Sequence, residues 1–153
     1  MSKGPKSKDE ITRNMSAIRS RDNRTEFALR RCLFSLGMRY RVHPKNVLGK
    51  PDIVFPRARV AVFVDGDYWH ARILREEGID SLKRRLKDAG SEYWITKFTR
   101  RVVRDDDVTA TLSYQGWEVI RFWEGDIRRD VVPAAARIRS IVRERLRNSG
   151  QTD

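Results

Sequence analysis

The spacing of apolar residues predicts two helices in the first quarter of the chain. A short, weakly amphipathic helix is predicted over residues 9–19, after a flexible basic arm formed by residues 1–8. A second helix begins near Asn23 or Thr25, either of which can cap it, and Gly37 is its stop signal. Its apolar face, which we expect to pack in the core, consists of Leu29, Cys32, Leu33 and Leu36.

Beyond Gly37 the apolar period shortens to two residues, which is typical of strands. The runs at residues 53–55 and 60–64 are predicted strands, and the second is apolar enough for the centre of a sheet. A weaker alternation precedes them at Met38, Tyr40 and Val42.

The second half of the chain returns to helical spacing. After a polar loop, helical segments are predicted around residues 79–88 and 92–115, and Gly116 closes the second. A strand follows at residues 117–122, and a last helix covers about residues 127–146. This order of elements favours an α/β or α+β sheet with helices packed against it.

Composition indicates a single basic domain. The 153 residues fit one domain, predicted over residues 9–147 and followed by a frayed tail at 148–153. Thirty-three Lys and Arg against 21 Asp and Glu give a net charge of +12, which points to a polyanionic partner. A ribosome-associated protein, or a chain that is merely rich in arginine, is the alternative explanation of this charge.

The single cysteine excludes an internal disulfide and any zinc site built from several thiolates. No stretch reaches the ~18 apolar residues needed to cross a bilayer, and the N-terminus has no apolar signal core. We therefore expect a soluble cytoplasmic protein without a membrane partner.

Acidic residues lie where the predicted strands begin and end. Asp52 precedes the strand at 53–55, and Asp65 and His70 lie where the strand at 60–64 ends. Hydrolysis of a phosphodiester needs carboxylates that hold a divalent cation and a base that titrates near neutral pH. Taken alone, Asp52 suits a turn and His70 an exposed loop, but a hairpin would bring them together in a nuclease site.

Several short segments recur in the order and spacing of a known family. They are Ser16–Asp22, Thr25–Glu26, Gly49–Asp52, Val62–His70, Trp94, Arg104–Asp105 and Gly116–Val119. Over residues 9–130 the chain resembles the very short patch repair (Vsr) endonucleases of bacteria. The resemblance implies a restriction-endonuclease-like fold of the PD-(D/E)xK superfamily, with a mixed α/β sheet flanked by helices.

The resemblance also implies roles for individual residues. Asp52 and the main-chain carbonyl of Val64 would hold a magnesium ion, and His70 would be the general base for the attacking water. Most relatives of this fold carry an acidic-x-Lys triplet that is absent beyond Asp52. Glu26 and Asp105 match two further polar positions of the site. Glu26 is also explained as an acid in the first turn of a helix, and Asp105 as a helix cap.

Two departures from the family concern metals. Asp65 stands where some members have a second histidine, and its carboxylate would add metal affinity or hold a water. Zinc-containing members use cysteines and a histidine around this loop, and the corresponding positions here are Asp67, Arg72, Leu74 and Gly125. No structural zinc is therefore expected, and the loop would be held by packing or by salt bridges, for which Asp67 and Arg72 are one candidate pair.

Aromatic and basic residues are the candidates for DNA contacts. The resemblance implies that Tyr68, Trp69 and Trp94 insert beside a mismatched base pair, where planar side chains restore stacking. Met15 matches a position that reaches the minor groove. Packing is the alternative role of both Met15 and Trp94. Phosphate contacts are expected from at least one of two basic runs, Lys97, Arg100, Arg101 and Arg104 or Lys83, Arg84, Arg85 and Lys87.

The sequence thus predicts a magnesium-dependent DNA endonuclease that acts as a monomer and nicks one strand of a duplex at a T:G mismatch. A site-specific restriction or homing endonuclease of the same fold would use the same acidic residues and His70. A DNA-binding module without catalysis is the third alternative, and it has no need of both Asp52 and His70.

Overall fold

The computed structural model describes Arg13 and residues 24–66, 69–86 and 91–150. Arg13 is helical. The rest of the helix predicted over residues 9–19 lies outside the described residues, as do the N-terminal basic arm and the last three residues of the chain.

A four-stranded mixed sheet forms the centre of the described part of the chain. Its strands are β1 (Arg41–Val42), β2 (Ile53–Phe55), β3 (Val60–Asp65) and β4 (Glu118–Trp123). They lie side by side in chain order; the first two pairs are antiparallel and the last pair is parallel. All of β2 and the first four residues of β3 are buried, which confirms the predicted central strand.

Helices cover both faces of this sheet. They are α1 (residues 24–35), α2 (Trp69–Glu77), α3 (Ile79–Arg85), α4 (Ser91–Tyr114), α5 (Glu124–Arg129) and α6 (Val131–Asn148). The connection from β3 to β4 contains α2, α3 and α4, and such a long crossover is what a parallel pair requires. None of the described helices is long and apolar enough to cross a membrane.

The main core fills the space between one face of the sheet and helices α1, α5 and α6. Leu29 and Leu33 of α1 are fully buried there, and Cys32 and Leu36 are partly buried beside them. The predicted apolar face of α1 is therefore confirmed. A smaller cluster on the opposite face of the sheet contains Phe63 and Leu112 of α4.

The C-terminal end of α1 agrees with the prediction, and the predicted cap Thr25 at the other end has a different role. Gly37 ends the helix as predicted, because it adopts the left-handed φ of 82° that a C-terminal turn favours. Thr25 lies inside α1, and its hydroxyl donates to Oε1 of buried Glu124 at 2.7 Å instead of capping the helix. Asn23, the other candidate cap, lies outside the described residues. The Thr25 contact fixes the first turn of α1 against α5.

The prediction of a polar loop between β3 and residue 79 was wrong, because α2 occupies most of this segment. Ile73 is buried, and Arg72 and Glu76 form an ion pair one helical turn apart at 3.0 Å. The charged residues of this segment, among them Arg72, Arg75 and Glu76, led to the loop prediction, although such residues are common on the exposed face of a helix.

The prediction of one continuous last helix was also wrong. The chain forms α5 and α6 with Asp130 between them, and the Asp130 carboxylate accepts from the amide of Val132 at 3.1 Å. A side-chain cap of this kind starts a new helix. The strand before it, β4, begins and ends one residue later than predicted.

Candidate active site

Asp52 lies directly before β2, beside the far end of β3. Its amide donates to the carbonyl of Val62 at 2.9 Å, and its Oδ2 accepts from the amide of Val64 at 2.7 Å. The antiparallel pairing of β2 with β3 therefore brings the start of one strand and the end of the other together, as the sequence predicted for a hairpin.

Burial raises the pKa of Asp52 from 3.8 to about 6. The hydrogen bond from the Val64 amide opposes this change, while the nearby carboxylate of Glu26 adds to it. A carboxylate in this position is ionised at neutral pH at a cost in free energy, and a cation bound beside it would reduce that cost.

Glu26 projects from α1 toward the same point. The residue is only 8% exposed, which is rare for a carboxylate. One ligand atom from each of Glu26, His43 and Asp52 lies within 4.8 Å of the other two, and among the described residues this is the one cluster with metal-ligand spacing. The structure thus brings together two of the predicted site residues, Glu26 and Asp52.

His43 is the member of this cluster that the sequence analysis missed. It follows β1, and its amide donates to the carbonyl of Asp52 at 3.2 Å. Its Nε2 lies 2.7 Å from Oε1 of Glu26. The register between β1 and β2 explains this position. Val42 pairs with Ile53, and the next pair in an antiparallel ladder places His43 opposite Asp52.

Asp65, the last residue of β3, is bound to Arg121 of β4. Arg121 Nη1 lies 3.0 Å from one carboxylate oxygen and 3.4 Å from the other. Arg121 also donates to the Thr109 hydroxyl at 3.0 Å and to the Asp105 carbonyl at 3.2 Å, and its guanidinium lies over the Phe63 ring. Arg121, which the sequence analysis did not single out, joins β3, β4 and α4 at this end of the sheet.

Burial is also the main reason that the pKa of Asp65 is raised, although the charge of Arg121 opposes the change. Asp105 adds to it, which means that the two carboxylates lie near one another. Asp105 lies inside the continuous helix α4, so the alternative that it caps a helix was wrong. Its backbone carbonyl, as the acceptor from Arg121, connects α4 to this end of the sheet.

The remaining residues of the predicted loop are only partly described. Trp69 and His70 are the first two residues of α2, which begins four residues after β3 ends. Their side chains lie outside what the structure describes, and Tyr68 and Met15 lie outside it entirely. The structure therefore gives the backbone position of His70 near the end of β3 and no contact of its imidazole.

Trp94 lies on α4 in an exposed group of aromatic side chains. It is 44% exposed, so the alternative that it packs in the core was wrong. Its ring stacks on Phe98 with centroids 5.8 Å apart and meets Tyr93 edge-on at 5.3 Å. The Lys97 ammonium lies 5.2 Å from the centre of the Trp94 ring.

The two predicted basic runs differ in their surroundings. The run on α4 borders a surface pocket of about 650 Å³ that Tyr93 and Phe98 also line; its members there are Lys97, Arg100, Arg101 and Arg104. On α3, Arg85 already forms an ion pair with Glu77 at 3.1 Å, and Lys87 lies outside the described residues. The α4 run thus lies beside a concave surface with aromatic rings.

Similar proteins carry the names of DNA endonucleases. A family model described as DNA mismatch endonuclease Vsr matches residues 6–75, a segment that includes Glu26, His43, Asp52 and His70. "Type II nicking enzyme V.NmeDIP" of Neisseria meningitidis serogroup C is 37% identical over 132 residues, which are 86% of this chain and 84% of that protein. The chain belongs to the Vsr endonuclease family.

Two other Vsr relatives are also similar over most of their length. "Type II nicking enzyme V.NaeI" of Lentzea aerocolonigenes is 41% identical over 128 residues, covering 80% of this chain and 72% of that protein. "DNA mismatch endonuclease Vsr" of Escherichia coli (strain K12) is 30% identical over 122 residues, covering 78% and 74%. The protein is thus a DNA-cleaving hydrolase with the restriction-endonuclease-like fold of the family, and its mixed sheet flanked by helices agrees with that fold.

Arg72, one of the positions that the sequence analysis compared with zinc ligands, forms an ion pair on α2. Arg72 Nη1 lies 3.1 Å from Asp126 of α5, and the Arg72 guanidinium also lies over the Trp123 ring. Leu74 and Gly125 offer no ligand side chain, and Asp67 lies outside the described residues. The Arg72 contacts join α2 to the end of β4 and to α5. An ion pair and a cation–π contact therefore help to position the helix that begins with Trp69 and His70.

Proposed function

We propose that this protein hydrolyses one strand of duplex DNA beside a T:G mismatch, with magnesium as cofactor, and acts as a monomer. The observation that carries the proposal is the carboxylate pair of buried Glu26 and partly buried Asp52 at the end of the central strands in a Vsr-family chain. A similar protein is named a DNA mismatch endonuclease and others are named nicking enzymes, which supports both the mismatch and the single-strand cut.

The donor set at this point fits a hard divalent cation. Asp52 supplies a carboxylate from a partly buried position, and Oε1 of Glu26 is buried without a hydrogen-bond partner among the described residues. Magnesium prefers a small number of carboxylate oxygens and keeps sites for phosphate oxygens. When bound, such a cation would neutralise the charge that develops on the phosphate during hydrolysis.

The carbonyl of Val64 is a further proposed metal ligand. The Val64 amide donates to Asp52, and the Val62 carbonyl, two residues earlier on β3, accepts from the Asp52 amide. Residues two apart on a strand direct their polar groups to the same edge, so the Val64 carbonyl faces the edge on which Asp52 lies. This geometry supports Asp52 and Val64 as a pair of ligands.

His70 is the proposed general base. Its backbone lies in the first turn of α2, just beyond the strand end that carries Val64, and histidine has a pKa suited to proton transfer near neutral pH. In this role it would take the proton of the attacking water. Glu26 belongs to the donor set of the cation, and Asp105 would orient water and substrate. Asp65 is engaged with Arg121 and is better suited to support the sheet end than to bind the metal.

The mismatch would be opened by aromatic side chains on α2 and α4. Tyr68, Trp69 and Trp94 are the proposed wedge, and the exposure of Trp94 and its stacking on Phe98 support its share of the role. A mismatched step costs less to unstack, and an inserted ring restores about 1–3 kcal/mol of stacking per base. Met15 is proposed to reach the minor groove. The α4 cations, Lys97, Arg100, Arg101 and Arg104, are proposed to contact phosphates.

Nicking of end-labelled duplexes tests this proposal. Duplexes with one T:G pair in varied flanking sequence, and matched T:A duplexes, are incubated with magnesium and resolved on a denaturing gel. We expect a cut in one strand beside the mismatched T, and no cut in the matched duplex. Cutting of perfectly paired DNA at one sequence would favour a site-specific endonuclease instead, and binding without any product would favour a DNA-binding module.

A substitution on α4 tests the wedge within the same assay. Trp94→Ala should reduce the preference for T:G over T:A duplexes at least about tenfold, since roughly 1.4 kcal/mol of the stacking at the mismatch is worth that factor. Tyr114→Ala is the matched control, because Tyr114 is 93% exposed at the other end of the same helix. An unchanged preference in Trp94→Ala would remove this residue from the wedge.

A further inference from the structure

The contact between Glu26 and His43 has an unusual geometry. Glu26 Oε1 and His43 Nε2 are 2.7 Å apart, yet Oε1 has no hydrogen-bond partner among the described residues. The two atoms are therefore close without the N–H···O alignment of a hydrogen bond. A buried carboxylate oxygen in this state costs free energy unless another group compensates it.

A cation between the side chains would supply that compensation. The ligand atoms of Glu26, His43 and Asp52 are all within 4.8 Å of one another. Ligand atoms that bind one cation at about 2.1 Å lie roughly 3 to 4 Å apart, so small rotations of the side chains would be enough to converge on a common ion. Glu26 Oε1 and His43 Nε2, which are 2.7 Å apart, would then both direct a lone pair at the metal.

The backbone of His43 supports a role other than packing. His43 has a φ of 45°, in the left-handed region that costs a residue with a side chain about 1 kcal/mol or more. The hydrogen bond that its amide donates to the Asp52 carbonyl holds it there, while its imidazole is half exposed and thus contributes little to the core. Strained residues of this kind cluster at functional sites.

We propose that His43 is a metal ligand, so that Glu26, His43 and Asp52 form a mixed nitrogen and oxygen site that binds Mn²⁺ more tightly than Mg²⁺. The inference rests on the proposed function, since it adds a ligand to the site at Asp52. Imidazole is a borderline donor that contributes more to the affinity for transition metals than to that for magnesium. The open edge of the site remains available for phosphate oxygens.

Electron paramagnetic resonance of bound Mn²⁺ tests the inference on the full chain without DNA. Protein labelled with [¹⁵N]histidine should show a coupling between Mn²⁺ and a directly bound imidazole nitrogen. The chain has two histidines, so two variants assign the coupling. His43→Asn should remove it and weaken Mn²⁺ binding about tenfold or more. Asparagine tolerates the left-handed backbone, and His43→Gly does so without adding any side-chain ligand.

His70→Gln is the matched control. It should lose nicking and keep both the nitrogen coupling and the Mn²⁺ affinity, because His70 is proposed to act on water and not to bind the metal. Circular dichroism of each variant checks that it is folded.

Absence of the nitrogen coupling in the wild type, or its persistence in His43→Asn and His43→Gly, would overturn the inference. Loss of the coupling in His70→Gln would assign the ligand to His70 and overturn it as well. The nicking assay tests the proposed function separately. If the wild-type protein shows the nitrogen coupling but cuts no DNA, the His43 ligand is supported and the proposed function is contradicted.

Discussion

Asp52 combines burial with a charge, and this has a consequence for stability as well as for catalysis. Its pKa in the folded protein is about 6, above the unfolded value of 3.8. The folded state therefore binds more protons than the unfolded state between these values, and the contribution of Asp52 to stability falls as pH rises from about 4 to about 6. Above pH 6 the ionised carboxylate destabilises the metal-free protein.

Asp52→Asn should stabilise the metal-free protein at pH 7.5 by about 1 to 3 kcal/mol, because the amide keeps an acceptor for Val64 and removes the buried charge. The gain should shrink at pH 4, where the carboxyl group is protonated in the folded state. Urea unfolding at both pH values in the presence of a chelator measures it. Asp80→Asn, at an exposed position on α3, is the control and should change stability little. A destabilised Asp52→Asn protein would contradict this explanation.

A substitution in the ion pair of Asp65 and Arg121 should lower the stability of the protein. Both side chains are largely buried, and removal of the cation leaves the carboxylate without its main partner. Arg121→Met should destabilise the protein by about 2 to 4 kcal/mol. The double variant Asp65→Asn/Arg121→Met should recover part of this loss in urea unfolding. A double variant as unstable as the single one would show that the other contacts of Arg121 carry its effect.

Several of these residues could be predicted from the sequence and others could not. The Gly-x-Pro-Asp turn and the acidic strand end indicated Asp52 because a motif and an apolar strand lie next to each other in the chain. His43 and Arg121 carry no local motif, and their partners are contributed by other strands and helices. Only the spatial arrangement of these elements reveals such contacts, and a pattern along the chain does not contain it.

At the scale of elements, the sequence predicted those whose apolar pattern is strong. The buried strands β2 and β3, the Gly37 stop and the long helix α4 all appear where expected. Helix α2 was missed because its many charged residues suggested a loop, and the division between α5 and α6 was missed because it depends on one capping carboxylate, that of Asp130. A single polar contact such as the Asp130 cap leaves no apolar pattern along the chain.

The turn before Asp52 depends on its glycine. Gly49 has a φ of 78°, and a Cβ at this position would clash with the Val108 side chain of α4. Gly37 has a similar φ of 82° with open space around it. We expect Gly37→Ala to cost about 1 kcal/mol and Gly49→Ala clearly more, with reduced nicking because the turn carries Asp52.

Thermal unfolding and the nicking assay on the two glycine variants check this comparison. Equal losses of stability would show that the left-handed backbone alone, and not the contact of Gly49 with α4, matters at both positions.

At the scale of the whole molecule, the charge of +12 is explained by a DNA substrate, and the family assignment makes that substrate the expected one. The resemblance predicted the fold and the family from the sequence. It did not predict the ion pair between Arg72 and Asp126, one of the contacts that hold α2. The domain boundaries and the monomeric state remain predictions.

The position of the charge can be tested by the salt dependence of DNA binding. Replacing Arg100 and Arg104 on α4 with Gln should reduce the slope of log K against log salt by about 2, because two phosphates would no longer be neutralised. The matched pair is Lys83→Gln/Arg84→Gln on α3, which should change the slope less because, of the two runs, the α4 run borders the aromatic pocket. A larger change in the slope from the α3 pair would indicate that α3, and not α4, contacts the DNA phosphates.

The central claim is that Asp52 holds the cation that makes strand cleavage possible. Its most direct test is the single-turnover nicking rate of a T:G duplex by the wild type and by Asp52→Asn, at saturating protein and with magnesium. We predict a fall on the order of 10³-fold or more in the variant, with DNA affinity nearly unchanged. An Asp52→Asn protein that nicks the mismatched duplex at the wild-type rate would contradict the claim.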